Sequence, residues 1–108
     1  MTNPNFTAIP SLTDLVEIQT EATTSRTVLR ADGVRVVAFS FDAGQELTEH
    51  TAAMPVLLQV VDGNLSITAD GRTERLVPGG LMYLAARVPH AVFANEPSHL
   101  ILTMLDAR

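Results

Sequence analysis

The chain has no cysteine and no tryptophan, a single tyrosine, and only seven Lys and Arg against twelve Asp and Glu. Without cysteine there are no disulfides, thiolate metal sites, iron–sulfur clusters or cysteine nucleophiles. Redox compartment stays open on that ground. The arginines are scattered singly from Arg26 to Arg108, with no basic cluster, and the net charge is -5. A surface that neutralises phosphates needs a basic stripe, so a nucleic-acid partner is not expected, nor is attraction to an anionic membrane. No run approaches the roughly 20 apolar residues that cross a bilayer. The start, Met1-Thr2-Asn3-Pro4-Asn5-Phe6, lacks the basic and apolar regions of a signal peptide. A soluble, cytoplasmic protein is the expectation.

What is present is a domain-sized chain of 108 residues, 46% of them apolar, enough to bury one core without staples. Met1 to Pro10 is polar and carries two prolines, and reads as an arm. Ser11, Asp14 and the apolar Leu12, Leu15 and Val16 suit one short helical turn, or a strand running toward Gln19. From Ser25 the signals are β. Arg26–Arg30 and Val34–Phe41 flank Asp32-Gly33, the sequence of a tight hairpin. The same dipeptide recurs at Asp62-Gly63, between Val56–Val61 and Leu65–Ala69, and again at Asp70-Gly71 before Thr73–Leu76. Leu65, Ile67 and Ala69 alternate with Ser66, Thr68 and Asp70, the pattern of a half-buried strand. Leu81–Leu84, His90–Asn95 and Leu100–Leu105 follow, with Pro78-Gly79-Gly80 as a turn. Short strands at close spacing with no long helical period predict an all-β sandwich or barrel. The expected organisation is an arm over residues 1–24 and a barrel over residues 25–108.

Two blocks carry a further signal. Gly44 through Glu49 leads into His50, and Asp62-Gly63 closes that block; Gly79, Tyr83, Val88-Pro89-His90 and Asn95 form the second. This pattern resembles the cupin superfamily, whose first motif runs Gly, five residues, His-x-His, Glu and Gly. Its second runs Gly, Pro-x-Gly-x-x-His and Asn. The resemblance covers about Arg26 to Leu105 and implies an antiparallel, jelly-roll-like β-barrel, also described as a double-stranded β-helix. It implies a metal site as well, with His50 and His90 on two of the four ligand positions. The others fall on Ala52 and on Val56 (or Leu57 with longer spacing), which offer no donor. In the second motif the Pro and Gly positions fall on Ala85 and Arg87. Two imidazoles with open water positions hold zinc, iron, manganese or nickel only weakly. Glu49 and Gln59 have the wrong strand parity to replace the missing ligands.

His50 and His90 are thus read as pocket imidazoles that bind a ligand or move a proton, against the plain alternative of hydrogen-bonded barrel residues. His99, beside Pro97-Ser98, is read as an edge residue, with an approach to the pocket mouth as the alternative. Leu58, Val60, Tyr83 and Val92 are candidate walls of a small internal pocket, with Tyr83 offering its phenol. Met54, Met82 and Met104 are core fillers or a pliable lining. No Ser-His-Asp order, P-loop or dinucleotide glycine pattern is present. The preferred reading is a binding or sensing module for a small molecule. The alternative is an enzyme such as a dioxygenase, isomerase or lyase, working through His50 and His90 with or without metal. A purely architectural dimer is the third. A two-fold homodimer is expected, with the arm's Phe6, Ile9, Leu12, Leu15 and Val16 covered across the interface.

Overall fold

The computed structural model describes residues 5–106. Its strands are β1 (Thr23–Ala31), β2 (Val34–Phe41), β3 (Glu46–His50), β4 (Val56–Asp62), β5 (Leu65–Ala69), β6 (Arg72–Leu76), β7 (Leu81–Leu84), β8 (His90–Ala94) and β9 (Ser98–Leu105). They form two antiparallel sheets, one ordered β1-β2-β9-β4-β7 and the other β3-β8-β5-β6. The architecture is an all-β antiparallel barrel, the class that the sequence implies. No helix among the described residues is long and apolar enough to cross a membrane.

Alternation decides what lies between the sheets. Leu65, Ile67 and Ala69 of β5 face inward together with Val56, Leu58 and Val60 of β4, Val92 and Ala94 of β8, and Leu100 and Leu102 of β9. Phe41, Leu58, Leu65, Ile67 and Leu100 are entirely buried. Each such side chain contributes about 1.5–3 kcal/mol by leaving water.

Asp32-Gly33 and Asp70-Gly71 turn hairpins, β1 to β2 and β5 to β6, as their sequence predicts. Asp62-Gly63 does not. There β4 and β5 part into different sheets. Gly63 is needed for a different reason: a Cβ at this position would run into the Ser98 hydroxyl and the Pro97 carbonyl. Its φ of 89° adds a second demand for glycine.

A second, smaller apolar cluster lies on the outer face of the large sheet. Leu12, Leu15 and Val16 cover Val28, Val36, Ala38, Val61 and Ile101. The arm makes one 3-10 turn at Thr13–Leu15, without a side-chain cap, and Val16 is extended. Of the two readings the sequence allowed, the single turn holds. These three apolar residues find their cover on the chain's own sheet, whereas Phe6 is 70% exposed.

Candidate functional site

His90 opens β8, behind the loop that carries Pro89, and is 2% exposed. Its Nδ1 lies 3.0 Å from the carbonyl of Val88. A carbonyl only accepts, so Nδ1 carries the proton and Nε2 presents its lone pair. That Nε2 is buried and has no hydrogen-bond partner among the described residues. Buried polar atoms are seldom left so.

His50 ends β3. In the ladder between β3 and β8, Leu47 pairs with Val92, and the next recorded pair is His50 with His90. Three residues on β3 are set against two on β8, so the strand bulges between Leu47 and His50. Strict alternation from the inward Leu47 would turn His50 outward. The bulge returns it to the inner face, where its ring stands 4.4 Å from that of His90, tilted by 56°. Burial first, and the charge of a protonated His90 second, push the His50 imidazole below its ordinary value. Neutral rings at pH 7 follow for the exposed member of the pair, which makes it an acceptor or a base rather than a cation. Next to His90 across the small sheet stands Ala69, a small residue on its flank.

The fold family implies a metal here, and the donor set does not fit one. Ala52 and the buried Val56 stand where two more ligands would be needed, and neither carries a donor atom. Gln59 pairs with Leu81 and Ile101 and is exposed on the outer face. Among the described residues, no group of three or more His, Cys, Asp or Glu could hold an ion. Structural and catalytic ions take three or four protein ligands, so two imidazoles fall short.

The other candidates separate. Val92 is two residues along β8 from His90, on the same inward face. Leu58 and Val60 are buried inside the barrel, in the main apolar cluster. Tyr83 is not with them. Its partner on β4 is the outward Leu57, and it stands 59% exposed on the outer face. Parity explains this: Met82 and Leu84 pair with the inward Leu58 and Val56, so Tyr83 between them must turn away. Met82 and Met104 pack against the core, whereas Met54 borders a surface cleft beside the β1–β2 turn. Among the described residues, a cleft opens between β6 and β7 and is lined by Arg72 and Glu74 together with Ala69, Leu76, Met82 and Leu84, which belong to or pack against the core; neither His50 nor His90 lines it. The two imidazoles stand where β3 ends and β8 begins, apart from that cleft.

His99 lies elsewhere as well. It is 8% exposed, on the outer face beneath the arm. Its Nε2 donates to the Val16 carbonyl at 2.7 Å, and its Nδ1 meets the Asp62 carboxylate at 2.8 Å. Ser40 donates to the Glu17 carbonyl and Arg26 to that of Leu15. Ser40 and Asp62 are the ladder neighbours of His99 on either side. A polar row across three strands thus ties down the arm. Sequence reasoning missed this latch, since contacts 83 residues apart leave no local pattern.

No family model matches the chain, and no curated protein matches it in sequence. Its fold is that of the cupin superfamily. Among solved structures it is similar to a cupin superfamily protein from Desulfitobacterium hafniense, at 24% identity and a TM-score of 0.82 over 89% of this chain and 88% of that one. A conserved protein of unknown function from Streptococcus pyogenes is 27% identical, with a TM-score of 0.83 over 95% and 90% of the two chains. A cupin 2 conserved barrel domain protein from Leptotrichia buccalis is 26% identical, with a TM-score of 0.77 over 85% of this chain and 45% of that one.

Proposed function

We propose that this chain is a small-molecule-binding module that holds its ligand at the barrel mouth through His50 and His90. The observation that carries the reading is the buried, unpartnered Nε2 of His90. Leaving such a group unsatisfied costs about 1–3 kcal/mol, which a ligand hydroxyl or N–H returns on binding. His50, 4.4 Å away and half open to solvent, supplies the second polar contact. The donor set supports binding over metal-dependent turnover. Pairing of two copies, the cytoplasm as its location, and the absence of nucleic-acid or membrane partners complete the proposal.

A thermal-shift screen of small polar molecules, run on the parent and on a His50→Ala, His90→Ala double variant, tests it. Ligands are expected to raise the parent's Tm and to lose that effect in the variant. Equal stabilisation of both proteins would place the binding elsewhere. Elemental mass spectrometry on untagged protein tests the competing enzyme. Near one ion per chain, lost in the double variant, would replace this reading with a metal-dependent one.

A further inference from the structure

Both ring nitrogens of His99 face acceptors. Nε2 lies 2.7 Å from the Val16 carbonyl, and Nδ1 lies 2.8 Å from the Asp62 carboxylate. A carbonyl and a carboxylate accept hydrogen bonds and give none, whereas a neutral imidazole carries one N–H and one lone pair. A neutral ring would therefore satisfy one partner and turn its lone pair on the other. Two short contacts to two acceptors require two ring protons, the state of an imidazolium. His99 is 8% exposed and Val16 7%, so a lone pair turned on that carbonyl has little water to relieve it.

The backbone is built to deliver the carboxylate. Val60 pairs with Leu100 and both face the core, so His99 turns outward. Regular pairing would set Val61 opposite His99 and turn Asp62 inward. The ladder instead shifts between Val60 and Asp62, and Asp62 becomes the partner of His99. Val61 stays on the outer face, in the cluster beneath the arm. From β2 the ring's neighbour is Ser40, which donates to the Glu17 carbonyl and meets the Thr24 hydroxyl of β1. The other charged groups meet the arm on either side of Val16: the exposed Glu17 follows it, and Arg26 of β1 donates to the Leu15 carbonyl before it. Among the described residues, Asp62 is the carboxylate in direct contact with the ring.

We propose that His99 and Asp62 form a proton-operated latch, which holds the arm while the ring carries two protons and frees it when one is lost. After that loss a single N–H serves two acceptors, and either the Val16 carbonyl or the Asp62 carboxylate faces a lone pair. Closing the arm is thereby coupled to holding a proton, so closure weakens as pH rises. Release uncovers Ala38 and Ile101, which Leu12, Leu15 and Val16 cover. The sign is opposite to that of His50, where burial disfavours the protonated ring.

Nitrogen NMR of the full chain with labelled histidines reads the ring directly, and amide protection factors over residues 12–18 read the arm. At about pH 6, both His99 nitrogens are expected to resonate as N–H, with that segment protected. At about pH 9, one nitrogen is expected to resonate as a lone pair, and protection of the segment to fall at least about tenfold, the scale of one buried hydrogen bond. Protection of β5 is expected not to fall. His99→Gln has no titrating ring and should make the arm's protection equal at both pH values. Asp62→Asn keeps an acceptor without its charge and should move the change to lower pH. A lone pair on either nitrogen at the lower pH, with the arm protected, overturns the latch. So does a ring that keeps both protons at the higher pH. An arm equally protected after the ring has lost its proton overturns the gating and leaves apolar packing as the hold. These outcomes are read on the parent chain, so none depends on a variant folding.

Discussion

Within the histidine pair, the two rings differ in what surrounds them. His90 is closed in and donates through Nδ1 to Val88, while His50 is open on one side and is held below its ordinary value of 6.5. A histidine whose value is depressed on folding binds fewer protons folded than unfolded, so stability rises with pH across that interval. The contribution is present above 6.5 and is lost as pH falls through the lower, folded value. Thermal melts between about pH 7.5 and about pH 5 are expected to show a steeper loss of Tm in the parent than in His50→Gln. Equal slopes would mean that the ring is not desolvated. The histidines themselves were legible from their place in two motif-like blocks. Their protonation and the spare Nε2 were not, because both depend on the loop that brings the Val88 carbonyl to the ring.

Strand bounds were read well where alternation or a turn dipeptide marked them: β2, β5 and β7 fall where the pattern put them. Two features escaped for one reason. The bulge in β3 exists only relative to β8, and the sheet change at Gly63 only relative to Ser98. One strand read alone contains neither. The arm is the element whose behaviour can be predicted most directly. It is tied by three side-chain donors to the carbonyls of Leu15, Val16 and Glu17, and it shields Ile101 and Ala38. His99→Ala removes the best-buried tie and is expected to cost about 1–3 kcal/mol. Amide exchange over residues 12–18 should accelerate, while the imidazole signals of His50 and His90 stay in place. If protection of that segment is unchanged, apolar packing alone holds the arm.

At the scale of the molecule, the sheet order could not be read from one sequence, but the barrel could. Regular short strands and inward alternation sufficed for its class, and two motif-like blocks for its resemblance. Where space is left between the sheets could not be read either, because volumes are a property of packed partners: the cleft lined by Ala69, Leu76, Met82 and Leu84 exists only once β6 and β7 stand at neighbouring sheet edges. The arm bears on assembly. Its Leu12, Leu15 and Val16 are satisfied within one chain, but Phe6 is not. Sedimentation is expected to report two chains per particle, with Phe6→Ser shifting the distribution toward one. A parent that sediments as one chain at every concentration would reject pairing.

The bulge between Leu47 and His50 decides more than the position of one ring. Were the β3–β8 ladder regular after Leu47, Glu49 rather than His50 would stand opposite His90. The same residues would then offer a carboxylate and an imidazole where they now offer two imidazoles. Acid–base identity at this mouth is written in the count of residues between two paired positions. A single inserted or deleted codon in β3 can rewrite it while every side chain involved keeps its name.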